Sequence, residues 1–514
     1  MHWRQHGALD PEGQMHLVNS WLLLGEPARA LELATRFFRE SPGSIDAEAL
    51  MLRVRALDDL DGADSAWRQH LESPRAGRRA FRHYAEYLAL TDRRARALEA
   101  SFAGLACPAE DSVNLLASAA RIALSVRGLD PVAFRARFSA AVQRELGAPT
   151  PAPKRPRRSG ALRVGILGSS LHFHPIMGFI SPLVRGLDRR RFSVRIYSAG
   201  SIRDGHQDAL RNLSDQWLDV AALETPQLVE RLRREDLDLL VELDNHTREN
   251  RLAALAQRVA PVQISLFGLN QTTGLEAIDY RITDEVVDPA GSESSYTEKL
   301  LRLTSCHLAY LPFEPVPRVG GAPSRHGGPV RMGLFNSWHK IGDDEISLWI
   351  SLLRKHDRLQ LVVAGFDDGV ANLRLRRQLS AAGIAPERVE IHPFLEEHRF
   401  WSLVQSVDFA LDSYPWGGGA TSAAVLSLGV PLLTRIGPRP ASRISASMLL
   451  ALDMGRWIVP VEKDIAGRIA ELVSDPAQLD SPRRGLQDAF AARFCEPEPY
   501  AAKMGSLLEE AGRA

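Results

Sequence analysis

Residues Leu411–Pro431 read LDSYPWGGGATSAAVLSLGVP, and the fold is decided in this stretch. An acidic strand end, Asp408 to Asp412, runs into an aromatic–proline turn, three glycines, Thr421-Ser422 and then an apolar helical pattern. That order is a strand–turn–helix unit with bare amides and hydroxyls at the positive end of a helix, where an anion is stabilised. Glycine suits such a turn because the backbone must come close to a ligand. An ordinary strand-to-helix turn has the same outline, so the neighbouring segments have to decide between the two.

Working outward, short apolar strands alternate with amphipathic helices from Leu162 onward. LRVGIL, SVRIYSA, LDLLVEL and VQISLF make one set; VRMGLF, LQLVVAG, RVEIHP, DFALDS and PLLTR make a second. This is the pattern of parallel sheets covered by helices on both faces. The sets are divided near the Pro/Gly/Arg-rich stretch 315–328, which predicts two doubly wound domains, over 161–315 and 328–514. Ligands of such sheets sit at the strand C-termini, so a cleft between facing strand ends is expected. The closing Pro497–Ala511 segment reads as a helix.

Before Leu162 the period is helical. VNSWLLLG, ARALELATRFF, AEALMLRVRAL and NLLASAARIAL carry apolar residues at helical spacing. Segments ending at Pro42, Pro74 and Pro108 repeat near the ~34-residue period of tetratricopeptide helix pairs. Ala34 and Ala66, each eight residues before its proline, are small enough for close helix pairing. Residues 1–148 are therefore expected to form an all-α tetratricopeptide-like domain, with a plain helical bundle as the alternative. The Pro-rich, basic 149–160 segment reads as a linker, and Lys154–Arg158 as solvated linker charge.

At 514 residues two or three domains are expected, and 45% hydrophobic with 25% charged residues is the composition of a globular protein. Lys+Arg and Asp+Glu number 63 each, which argues against nucleic acid as the main partner. No segment approaches ~18 consecutive apolar residues, so no membrane span is expected. Cys107, Cys306 and Cys495 are scattered without metal or disulfide spacing, pointing to a cytoplasmic setting. Only six basic residues are lysines, which makes Lys340 in FNSWHK noteworthy.

Several strand ends carry chemistry. GSSLHFHPIMGF after the first strand is not a dinucleotide fingerprint; it places His174-Pro175 on the cleft side. His172 and His174 lack an acidic or cysteine partner cluster, so no metal is expected. Asp244, Asn245 and His246 end another strand, and Asn270-Gln271-Thr272-Thr273-Gly274 offers hydrogen-bonding groups that suit sugar recognition or an ordinary turn. Lys340 follows the first strand of the second set, where a positive charge would suit a diphosphate leaving group.

Taken together, residues 160–512 resemble the protein O-linked N-acetylglucosamine transferase family, including its SPINDLY-like branch. The resemblance is carried in order by VGILGSSLHFHP, APVQISLFGLNQTTG with IDYRITD, YTEKL at Tyr296–Leu300, FNSWHK, LDSYPWGGGATS with VLSLGVP, and ASR at Ala441–Arg443. It implies two Rossmann-like domains of the glycosyltransferase B type behind tetratricopeptide repeats. It also implies metal-independent, inverting transfer from a nucleotide sugar, by default UDP-N-acetylglucosamine, to Ser or Thr of a protein. The nucleotide sugar is then a substrate, and no cofactor is expected. By the same resemblance Lys340, with Asn336 beside it, Gly417, Gly418, Gly419, Thr421, Ser422 and Arg443 hold the donor. Phe394 and Leu395 hold the nucleobase by their backbone, and Phe400 falls where the family places a His against the base. His174 is the expected base and Asp244 the second choice. The chain departs from the family at Gly178, Ser337, Gly419, Ala420 and Ala424, where polar side chains are usual. Two alternatives follow from those departures: transfer of another activated sugar, such as a nonulosonic acid on flagellin, or a helical-repeat scaffold without catalysis. The helical domain is expected to hold the acceptor protein.

Overall fold

The computed structural model describes residues 10–73, 76–107, 111–154, 160–461 and 463–513. Pro74, Pro108 and residues 155–158 of the basic linker lie outside them. Eight helices open the chain: α1 (Pro11–Leu23), α2 (Pro27–Glu40), α3 (Ile45–Arg55), α4 (Leu60–Leu71), α5 (Arg78–Leu90), α6 (Arg94–Ala106), α7 (Ser112–Ser125) and α8 (Pro131–Leu146). Their starts follow local chemistry. Asp10, Ser44, Asp59 and Asp130 cap α1, α3, α4 and α8, and proline occupies the first turn of α1, α2 and α8. Sequential helices pack in pairs, as expected of tetratricopeptide repeats. Ala34 is fully buried at such a contact; in α4 that role falls to Ala63, while Ala66 is only half-buried.

Two parallel-sheet Rossmann-like domains follow. The strands of the first are β1 (Leu162–Gly168), β2 (Phe192–Ser198), β3 (Gln216–Asp219), β4 (Leu239–Glu242), β5 (Val262–Ser265), β6 (Tyr280–Asp284) and β7 (Lys299–Leu303). They lie parallel in the order β3-β2-β1-β4-β5-β6-β7. The second set comprises β8 (Val330–Leu334), β9 (Leu359–Ala364), β10 (Val389–His392), β11 (Phe409–Leu411), β12 (Leu432–Ile436) and β13 (Ile458–Pro460). Central strands β1 and β4 are buried on both faces, which is why their sequences read as continuous apolar runs.

Two compact units emerge, each assembled from two stretches of the chain. One comprises Met1–Val126 with Pro329–Phe400; the other comprises Arg127–Gly328 with Trp401–Ala514. Inside the first unit, the helices and β8–β10 are stitched by polar contacts. Asn19 caps the helix Gly369–Ala381 by accepting from the Gly369 N–H at 2.6 Å, and Asp92 accepts from the Asp343 N–H at 2.8 Å. The Ser125 hydroxyl donates to the His339 carbonyl at 2.9 Å. Within the second unit, α8 packs on the first sheet: Phe138 meets the His246 ring edge-on at 4.9 Å, and Gln143 donates to the Gly274 carbonyl. The closing helix runs Pro497–Arg513 and packs on the helix Ile176–Gly186.

Candidate active site

Strand β1 and its neighbour β4 each end on a turn that opens into one cavity of about 290 Å³ in the second unit. His174-Pro175 after β1, Asp244 after β4, Phe267-Gly268 after β5 and His307 after β7 line it. Gly419, Ala420 and Ile444 close the opposite side. Strand C-termini and the head of the helix Ala420–Ser427 thus face the same space, the ligand position that parallel sheets favour.

The glycine turn is built around Asp412, a buried carboxylate at the end of β11. It accepts from the Ser413 N–H at 2.9 Å, the Gly418 N–H at 2.7 Å and the Thr434 hydroxyl at 2.8 Å. The Gly417 N–H donates to the Ala441 carbonyl at 2.9 Å. A β-carbon on Gly417 would lie 2.7 Å from the Asp412 carboxylate, so glycine is required there by close approach. The amides of Gly417 and Gly418 are therefore engaged inside the turn. An anion would instead meet the amides of Ala420, Thr421 and Ser422, which precede the first bond of the helix, Ala423 N–H to the Gly419 carbonyl. The Ser422 hydroxyl is buried against Ser445, leaving the Thr421 side chain nearer the surface.

His174 is exposed at the mouth by surface area yet hemmed in by the cavity walls. Desolvation and the neighbouring His172 push its pKa down to about 4, so the ring is neutral near pH 7. Its Nδ1 accepts from the Ile176 N–H at 3.3 Å, which leaves the proton on Nε2. His174 therefore presents a donor rather than a lone pair. Asp244 is buried and accepts from the Ser169 N–H at 2.8 Å. Burial and the nearby Glu242 raise its pKa to about 8, so it holds its proton near neutrality.

A raised carboxyl pKa costs stability between its unfolded value, 3.8, and its folded value, about 8, because only the unfolded chain ionises there. Asp244→Asn is accordingly expected to gain on the parent protein by more than about 1 kcal/mol on going from pH 5 to pH 8. Thermal melting of both proteins across that range checks it. Parallel pH profiles would mean that Asp244 is ionised in the fold.

The remaining expected residues are distributed as follows. Lys340 ends a 3₁₀ turn, Trp338–Lys340, after β8 and is half-buried in the first unit, with Asn336 buried before it. Phe400 meets Phe335 edge-on at 5.6 Å, and the Phe394 side chain is 76% exposed. Arg443 donates to the carbonyls of Val286 and Gly437 at 2.7 and 3.0 Å, pinning the β6 and β12 turns together. His246 Nε2–H donates to the Thr273 carbonyl at 2.8 Å and the ring is buried under Phe138, a structural position. Thr272 and Thr273 turn inward onto the Glu298 carboxylate, so of that turn only Asn270 lines the cavity. Gly178 lies where a β-carbon would be 2.7 Å from the Tyr310 ring, which leaves no room for a larger side chain. Gly419 is the reverse case: nothing lies within 4 Å of a β-carbon placed there. Sequence reading missed Asp412 and His307; the acid directly before the glycine turn was the available signal for the first.

Comparison with known proteins bears on the whole arrangement. The profile of "Glycosyl transferase family 41" matches residues 149–309. The chain is 29% identical over 346 residues to the probable UDP-N-acetylglucosamine–peptide N-acetylglucosaminyltransferase SPINDLY of Arabidopsis thaliana, covering 66% of this chain and 37% of that protein. An O-GlcNAc transferase of Thermobaculum terrenum, solved as a lysine-to-methionine mutant, superposes with a TM-score of 0.79 at 25% identity over 99% of both chains. By sequence and by fold the chain is similar to O-GlcNAc transferase and SPINDLY proteins. Another relative is the Arabidopsis protein named SEC, at 25% identity over 58% of this chain and 31% of its own length. The chain thus spans less than two-fifths of the curated relatives it matches first. The fold agrees with the likeness: a helical-repeat region and two Rossmann-like domains of the glycosyltransferase B type. Among the described residues no helix is long and apolar enough to cross a membrane.

Proposed function

We propose that this protein is a glycosyltransferase that moves a sugar, by default N-acetylglucosamine from UDP-N-acetylglucosamine, onto Ser or Thr hydroxyls of a protein. The reaction is an inverting single displacement without a metal. The observation that carries this reading is the shared cavity, where strand-end polar groups face the head of the helix Ala420–Ser427. A diphosphate at that helix head would gain three backbone donors and the positive end of the dipole. Lys340 would add charge to the leaving group, and Thr421 a hydroxyl. Lost side chains at Gly419 and Ala420 leave open space for the sugar rather than a blocked site. The helical-repeat region supplies the surface for the acceptor protein. The names of the relatives, all peptide N-acetylglucosaminyltransferases or O-GlcNAc transferases, support the choice of donor, and neither a different sugar nor a non-catalytic scaffold is favoured.

A thermal-shift panel of nucleotides and release of UDP from UDP-N-acetylglucosamine test this reading. UDP is expected to raise the melting temperature, and the sugar nucleotide to be consumed. Stabilisation by a CMP compound and not by UDP would overturn the donor assignment; stabilisation by no nucleotide would overturn the enzyme.

A further inference from the structure

Resting on that reading, we propose that His307, oriented by Asp284, is the general base that takes the proton from the attacking hydroxyl. Asp284 ends β6 and is fully buried. Its Oδ2 lies 2.6 Å from His307 Nδ1, and the same carboxylate accepts from the His307 N–H at 3.0 Å, the Ser447 hydroxyl at 2.8 Å and the Val287 N–H at 2.8 Å. This many donors describe an ionised carboxylate, and the His307 side chain in particular holds the Asp284 pKa down to about 2 against its burial. An ionised carboxylate only accepts, so Nδ1 carries a proton, and in the neutral ring Nε2 is left with its lone pair.

The ring lines the cavity shared by His174, Asp244 and the head of the helix Ala420–Ser427. Among the described residues nothing bonds Nε2, although the residue is only 3% exposed. His307 lines the cavity, so a proton can reach the ring from that side. Structural pinning needs no imidazole here, because the backbone already supplies it: the N–H goes to Asp284, and the carbonyl accepts from the Tyr500 hydroxyl at 3.0 Å. The other ionisable groups of the cavity are poorer bases. His174 offers an N–H, and Asp244 keeps its proton near neutrality.

In the step proposed, the acceptor hydroxyl oxygen bonds to the anomeric carbon as the bond from that carbon to the phosphate oxygen breaks. The nucleoside diphosphate leaves with the bonding electron pair. The hydroxyl proton passes to His307 Nε2, and the imidazolium is held against Asp284 until the proton returns to water. Base assistance of this kind contributes about 10²–10⁴-fold.

The test uses the full chain and slow hydrolysis of UDP-N-acetylglucosamine, with water as acceptor and UDP release as readout. His307→Gln is expected to lose about 10²-fold or more in kcat, with the KM for the donor and UDP-induced thermal stabilisation retained. A His307→Gln rate within about threefold of the parent, in a parent that turns over, would overturn the base and leave the transferase reading standing. Should His307→Gln lose UDP binding or its melting transition, His307→Ala with added imidazole decides: rescue of the rate supports the base, and no rescue overturns it. A parent protein that neither binds UDP nor consumes the sugar nucleotide overturns both.

Discussion

Lys340→Ala is expected to cut sugar transfer at least about a hundredfold while the protein still melts cooperatively. The lysine closes a 3₁₀ turn directly after β8, where its backbone N–H bonds to the Ser337 carbonyl at 2.9 Å. That turn survives loss of the side chain, so the fold should not depend on it. The charge is another matter. Burial first, and then the charges of Arg121, Arg53, Arg94 and Lys340, hold the His339 ring well below its usual pKa, so the lysine sits in a positive field. Charge growing on a departing diphosphate is stabilised by such a field more than the ground state is, so the loss should fall on kcat. Lys340→Arg is expected to recover only part of the rate, because a planar fork does not replace a compact ammonium. UDP release and intact-mass analysis of an acceptor check both variants. Full activity of Lys340→Ala would remove the lysine from the diphosphate.

Asp412→Ala carries the second large effect, a loss of about 3–5 kcal/mol of stability together with the response to UDP. Its carboxylate satisfies two buried amides and a hydroxyl, and each of these would be left without a partner in a closed turn. The Gly418 amide would then be released, and the geometry that presents the head of the helix Ala420–Ser427 would relax with it. Asp412→Asn should be milder, since its carbonyl still accepts from both amides while the Thr434 hydroxyl turns to accept from the amide nitrogen. Urea unfolding and UDP thermal shift measure the pair. An Asp412→Ala protein as stable and as responsive as the parent would show that the glycine turn holds itself.

How far the residues alone could lead differs from element to element. Strands such as LRVGIL and LDLLVEL were legible because central parallel strands are apolar on both faces. Strands β3, β7 and β13 lack that signature: QWLD is mostly half-buried and KLLRL mixes charge with leucine, as edge positions permit. The Asn270–Gly274 turn suited a sugar surface in composition, yet the partner that draws Thr272 and Thr273 inward is Glu298, distant in sequence. His174 read as a base because a histidine at a strand end suits one. Its tautomer is set by the Ile176 amide two residues on, a matter of backbone direction.

Local pattern determined the elements of this protein, because helix capping, strand hydrophobicity and the glycine turn each depend on residues within one or two turns of chain. Leu411–Pro431 marked a strand, a glycine turn and a helix from composition and order alone. Tertiary structure decided which amides face outward and which histidine keeps a lone pair. Asp412 draws the Gly418 amide inward, and Asp284 holds His307 across the gap between two strands. Hydrogen bonds between residues remote in sequence carry no periodic signal, so these assignments emerge only when the sheets bring the partners together.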